Sequence, residues 1–127
     1  MGIVKLPSMK LRSSIFPALA WLAIIWLMSS LPSKELPSIR IIGFDKLAHI
    51  SVYAILGLLF NSWMKSRKLS RVEYILIYAL LLLSAAADEY HQNFIPGRSV
   101  TVYDLMANTI GLLIPLSIGL LTHDKRK

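Results

Sequence analysis

Four apolar runs divide this chain of 127 residues, and each is close to the roughly 20 residues an α-helix needs to cross a ~30 Å hydrocarbon core. They extend from about 15 to 31, 47 to 64, 72 to 87 and 103 to 121. With 55% of the residues hydrophobic and a mean hydropathy of +0.58, the apolar side chains exceed what a water-soluble fold normally carries. A bilayer is the solvent such a chain fits. The expected fold is all-α: one polytopic domain over 1–127, a bundle of four transmembrane helices at about 15–31, 47–64, 72–92 and 103–121. The third helix is carried past its apolar run because the polar residues from Asp88 to Gln92 keep helical spacing.

Pro17 falls in the first turn of the first run, where a missing N–H is harmless, and Pro32 lies just beyond its end. Pro115 predicts a kink in the fourth helix. Lys5, Lys10 and Arg12 give the first run the look of a signal peptide, but it is long for one and no small-residue cleavage site follows, so it is expected to be retained.

Orientation follows from the Lys and Arg residues in the short connecting segments, since basic flanks tend to stay in the cytoplasm. Ten of them sit in the N-terminal tail (Lys5, Lys10, Arg12), the second loop (Lys65, Arg67, Lys68, Arg71) and the C-terminal tail (Lys125, Arg126, Lys127). Four lie on the other side, at Lys34, Arg40, Lys46 and Arg98. Both termini are therefore expected in the cytoplasm. The net charge of +7 is distributed as topology signal, which argues against nucleic acid as a partner. The first loop, from Pro32 to Phe44, is too apolar for a solvated linker and is expected to lie along the outer interface. No cysteine is present, so disulfides, thiolate metal sites and a cysteine nucleophile are excluded.

Of the seven acidic residues, Asp45, Asp88, Glu89 and Asp104 fall at the helix ends assigned to the outside. A carboxylate costs about 2.5 to 3.5 kcal/mol at a bilayer centre and less near the interface, so it faces partners or water. Asp45, His49, Tyr53 and Gly57 are spaced by four on the second helix and share a stripe. Asp88 and Gln92 share a face of the third, with Glu89 and Asn93 on the adjacent one, and Asp104, Asn108 and Gly111 share a face of the fourth. The turn Phe94-Ile95-Pro96-Gly97-Arg98-Ser99 carries the one basic residue of the third loop, Arg98, able to bridge carboxylates or bind a phosphate bidentately.

Blander explanations exist for each. Gly57, Ala107 and Gly111 suit close helix approach and carry no chemistry. Tyr53 and Tyr103 serve equally as interfacial or core aromatics, and Asp104 as a favourable charge at a helix N-terminus. The whole network could order the bundle, at about 0.6 kcal/mol per interhelical hydrogen bond. So many ionisable groups at one water-accessible end nevertheless point to a ligand or catalytic site. Asp45, His49, Asp88, Glu89 and His91 offer metal-compatible ligands, but no diagnostic spacing such as H-E-x-x-H is present, so no metal is assigned and no cofactor is fixed. Ser51, Ser84, Ser99 and Thr101 lie in no nucleophile elbow.

Three blocks in order, Asp45-Lys46-x-x-His49-x-x-x-Tyr53-x-x-x-Gly57, Asp88-Glu89-x-x-Gln92-x-x-x-Pro96-Gly97-Arg98 and Asp104-x-x-x-Asn108-x-x-Gly111, resemble the VanZ-like family, over about residues 15 to 121. The resemblance implies a multi-pass protein of the bacterial cytoplasmic membrane, in a family named after a member associated with low-level teicoplanin resistance. It implies functional positions at Asp45, Lys46, His49, Tyr53, Asp88, Glu89, Gln92, Arg98, Asp104 and Asn108. Ile50, where an aromatic is frequent, and Ala86-Ala87, where Tyr-Gly is frequent, depart from the pattern beside the site.

The leading expectation is an outward-facing site engaging a lipid-linked cell-envelope precursor or a phospholipid headgroup. Lys46 and Arg98 would hold phosphate, with Tyr53, Asp88, Gln92, Asp104 and Asn108 completing the binding set. A membrane enzyme using His49, Asp45 and Glu89 for acid-base chemistry on such a lipid is the first alternative. A non-catalytic accessory protein, with a membrane-protein partner or a second copy, is the other.

Overall fold

The computed structural model describes residues 14–30, 44–95 and 102–124. Among these the chain is entirely helical: α1 (Phe16–Ser29), α2 (Phe44–Ser66), α3 (Arg71–Gln92) and α4 (Val102–Asp124), with no strand. The stretches Lys46–Ser66 of α2 and Val102–His123 of α4 are long and apolar enough to cross a membrane. Only 28% and 33% of their apolar windows are buried, whereas the core helix of a soluble protein is mostly buried. α1 is apolar but has 14 residues, and α3 carries Glu73, Asp88 and Glu89 along its length.

Local chemistry sets the α2–α3 connection. Leu69 N–H donates to Met64 O (3.2 Å) and Lys68 N–H to Lys65 O (3.2 Å), the paired bonds of a Schellman motif. Lys68 occupies its left-handed position with φ 55°. Ser70 then opens α3 with a capping box, its Oγ accepting from Glu73 N–H (3.2 Å) while Glu73 Oε2 accepts from Ser70 N–H (3.0 Å).

Two helix ends exceed the apolar runs that predicted them. α2 begins at Phe44, so that Asp45 and Lys46 lie on the helix, and α4 continues to Asp124 beyond Leu121. The extra turn of α4 is tied down where His123 Nε2 meets Leu69 O at 3.0 Å and its ring packs edge-on against Tyr74. Hydrophobicity stops where the apolar environment stops, whereas a helix stops where its backbone bonds stop.

α4 packs against both α2 and α3, and α1 lies against α2 and α3. The α2–α4 seam depends on bare backbone. A Cβ on Gly57 would stand 2.2 Å from Pro115 Cγ, and one on Gly111 would stand 2.5 Å from the Ile50 carbonyl oxygen. α4 runs unbroken through Pro115. α1 is pinned by Trp21 Nε1–H to Val52 O (2.9 Å) and Trp26 Nε1–H to Ser84 Oγ (3.1 Å).

Polarity is inverted relative to a soluble fold. Leu76, Leu80, Leu83 and Leu121 are exposed, while Asp88, Glu89, Gln92, Asp104 and Asn108 are buried beside Tyr53, Leu56 and Leu112. Water would penalise both halves of that arrangement.

Candidate functional site

The end of α1, the start of α2, the end of α3 and the start of α4 meet at one end of the bundle, because successive helices run in alternating directions. Ser29, the last residue of α1, donates its hydroxyl to Asp88 Oδ2 on α3 (2.7 Å, buried). On the far side of α3, Glu89 Oε1 accepts from Asn108 Nδ2–H of α4 (2.8 Å), and Asn108 Oδ1 faces His49 Nδ1 of α2 at 2.8 Å. Neighbouring carboxylates thus turn to different helices, Asp88 to α1 and Glu89 to α4.

The relay fixes a tautomer. Asn108 is fully buried and gives its nitrogen to a carboxylate, so its oxygen is what it offers the imidazole; an oxygen acceptor there requires the proton on Nδ1. Nε2 then carries the lone pair of a neutral ring, or a second N–H when the ring is charged. Asp104 Oδ1 lies 3.9 Å from Nε2 and is ion-paired with Lys46 Nζ, so Lys46, Asp104, His49, Asn108 and Glu89 form one chain across three helices. Glu89 reaches His49 through Asn108 and not directly.

A cleft of about 370 Å³ separates α1 from α2 and α3 beside this chain. Trp21, Ile24, Ile25, Met28 and Val52 make its apolar walls, and Ser29, His49, Tyr53, Asp88 and Gln92 its polar end. Several buried atoms here lack a hydrogen-bond partner among the described residues: Tyr53 Oη, Asp88 Oδ1, Glu89 Oε2 and His91 Nδ1. The Tyr53 hydroxyl is directed at Asp88, to which it is placed to donate, and lies in the field of Glu89, but no hydrogen bond of good geometry closes there. Each unpaired buried group costs about 1 to 3 kcal/mol, more if charged, so four at one end call for an explanation.

Eight of the ten positions singled out in the sequence are drawn together here: Lys46, His49, Tyr53, Asp88, Glu89, Gln92, Asp104 and Asn108. Asp45 lies in the first turn of α2, but its side chain is outside the described residues, as are Arg98, the Pro96-Gly97 turn and the first loop from Pro32 to Gly43. Among the described residues no three His, Asp or Glu side chains gather as a metal site. Ser29 was legible only as a hydroxyl closing the first apolar run. Nothing in its spacing connects it to a carboxylate 59 positions away.

A second polar cluster was not anticipated. Asn61 on α2 donates Nδ2–H to Pro115 O (2.7 Å) and accepts from the Tyr78 hydroxyl (2.7 Å), which also lies 3.0 Å from Gly57 O. A single Asn inside an apolar run was its only signal.

The model of the VanZ/LLP1 family matches residues 10–122 of this chain. An uncharacterised protein of Schizosaccharomyces pombe is 27% identical over 82 residues, which cover 65% of this chain and 50% of the yeast protein. The chain thus spans about half the length of the curated relative it matches. No solved structure matches.

Proposed function

This chain belongs to the VanZ/LLP1 family, and from that premise we propose a multi-pass membrane protein whose polar end receives the headgroup of an amphiphile, a phospholipid or a lipid-linked envelope precursor. The observation that carries this reading is the cleft, with apolar walls from Trp21 to Val52 and a polar end at Ser29, His49, Tyr53 and Asp88. Such a gradient matches a molecule with a chain at one end and a hydrogen-bonding group at the other. The exposed Ile24 and Met28 on its rim open it toward the apolar exterior, from which a lipid would enter.

All four helices are assigned to the bilayer, with the basic Lys65–Arg71 turn and both termini in the cytoplasm and the Asp88–Asp104 end outside. In a bacterial cytoplasmic membrane that side faces the envelope precursors on which glycopeptides act, which fits the association of the family's namesake with teicoplanin resistance. The yeast relative favours a headgroup that all membranes carry over a precursor peculiar to bacterial walls. The absence of cysteine makes sidedness simple to test. With single cysteines at the exposed Ser66 and Asn93, an impermeant maleimide added to intact cells labels Asn93→Cys and spares Ser66→Cys; the reverse pattern moves the site to the cytoplasm.

Binding itself is read through Trp21, which lines the cleft. Trace phospholipid with brominated acyl chains, added to the protein in detergent, quenches tryptophan fluorescence saturably, and Trp21→Phe removes most of that quenching. Unsaturable quenching that survives Trp21→Phe contradicts occupancy of the cleft.

One observation favours a catalytic version of the same site. The Glu89–Asn108 relay orients His49 through Nδ1, leaving Nε2, 3.9 Å from Asp104 Oδ1, as the atom that would act as a base toward a bound headgroup. Turnover of a bound lipid that is lost in His49→Gln, with binding retained, distinguishes catalysis from binding.

A further inference from the structure

Which part of a headgroup the cleft recognises follows from what its polar end leaves unsatisfied. Asp88 is 2% exposed and Tyr53 2% exposed, both line the cleft, and although the Tyr53 hydroxyl is directed at Asp88, neither it nor Asp88 Oδ1 completes a well-formed hydrogen bond among the described residues. Asp88 Oδ2 is already held by Ser29, so the carboxylate is oriented with one oxygen committed and the other open. Glu89, with Oε2 also unpartnered, adds a second carboxylate within electrostatic reach of the same hydroxyl.

The described lining contains no Lys or Arg. Lys46, the nearest described cation at this end, is paired with Asp104 on the α4 side, outside the lining. Among the described lining residues, a phosphate seated against Asp88 would therefore meet a carboxylate oxygen and no Lys or Arg, whereas a group that is cationic and donates hydrogen bonds would complete the bonding of both open oxygens. His49 and Gln92, also in the lining, border the same end and can meet the rest of the headgroup.

We infer that the polar end of the cleft recognises a primary ammonium, as on an amine-bearing lipid headgroup, with Asp88 Oδ1 and the Tyr53 hydroxyl as its acceptors. This rests on the amphiphile reading above. The ammonium is then innermost, and the phosphate, expected from the sequence to engage Lys46 and Arg98, lies toward the mouth.

The test compares lipids that differ only in headgroup, using the full chain in detergent and the quenching signal of Trp21. Brominated-chain phosphatidylethanolamine is titrated against brominated-chain phosphatidylglycerol, and free ethanolamine is added as a competitor without chains. The ethanolamine lipid binds at least tenfold more tightly than the glycerol lipid in the parent, and Asp88→Asn, which keeps the shape and the Ser29 contact, reduces that ratio to near one while quenching persists. Tyr53→Phe lowers the ratio by a smaller factor. Competition by free ethanolamine at millimolar concentration assigns the ammonium to a soluble amine as well as a lipid; lack of competition assigns it to the lipid alone. Equal affinity for the two lipids, or tighter binding of the glycerol lipid, overturns the ammonium assignment and leaves the amphiphile reading standing. If neither lipid quenches saturably, both fall together. The parent comparison needs no variant to fold.

Discussion

The bundle holds two interior polar clusters that differ in completeness. Around Asn61, the amide nitrogen serves Pro115 O, the amide oxygen serves Tyr78, and Gly57 O lies within reach of the same hydroxyl. Around Asp88 and Glu89 each carboxylate has one oxygen engaged and the other without a well-formed bond among the described residues, and the Tyr53 hydroxyl is directed at Asp88 without closing one. The first cluster also sits on the close α2–α4 seam, where Gly57 meets Pro115, while the second borders the cleft under α1. Polar groups that hold apolar helices together are stabilising only when closed. Groups left open beside a cavity are a cost to the empty bundle that a ligand can offset.

The difference can be probed from its shared foundation outward. Gly111→Ala places a methyl 2.5 Å from the Ile50 carbonyl oxygen, a backbone atom unable to move aside alone, and should lower stability by about 3 kcal/mol. Gly57→Ala, against the Pro115 ring, should behave alike, showing that the seam supports both clusters equally. A parent-like melting temperature for either would mean that the helices are not in this register. Next comes Asn61→Leu, which removes the side-chain bond to Pro115 O and leaves Tyr78 only Gly57 O; a loss of about 1 to 2 kcal/mol follows. Were this variant as stable as the parent, the closed cluster would not be acting as glue.

A smaller effect is expected at the α2–α3 turn. Lys68→Gly relieves a left-handed residue at φ 55° and should raise stability by about 0.5 kcal/mol. Smallest of all is the stability change from Glu89→Gln at the open end, expected within about 0.5 kcal/mol of the parent, because it removes a half-satisfied buried charge and keeps an oxygen for Asn108. A drop comparable to that of Asn61→Leu would erase the contrast.

Much of this was legible in the sequence. Apolar runs located four helices, and i, i+4 spacing placed His49 with Tyr53, Asp88 with Gln92 and Asp104 with Asn108 on shared faces. What spacing within a helix cannot give is the rotation of one helix about its neighbour. That is why Asp88 and Glu89, placed on adjacent faces of the third helix, could not be assigned to α1 and α4 respectively. For the same reason Ser29 and Asn61 went unassigned: each bonds to a partner on another helix, 59 positions away for Ser29 and 54 and 17 for Asn61. The relay through Asn108 likewise depends on the orientation of a side-chain amide, which only its two neighbours determine.

The most direct test of the contrast is thermal unfolding in detergent of the parent, Asn61→Leu and Asp88→Asn, each with and without added phospholipid. The account predicts that Asn61→Leu melts lower yet keeps the parent's gain on adding lipid, whereas Asp88→Asn melts with the parent and loses the part of that gain by which phosphatidylethanolamine exceeds phosphatidylglycerol. If Asp88→Asn instead melts as low as Asn61→Leu and both keep the full gain, the open cluster is structural after all and the ligand lies elsewhere.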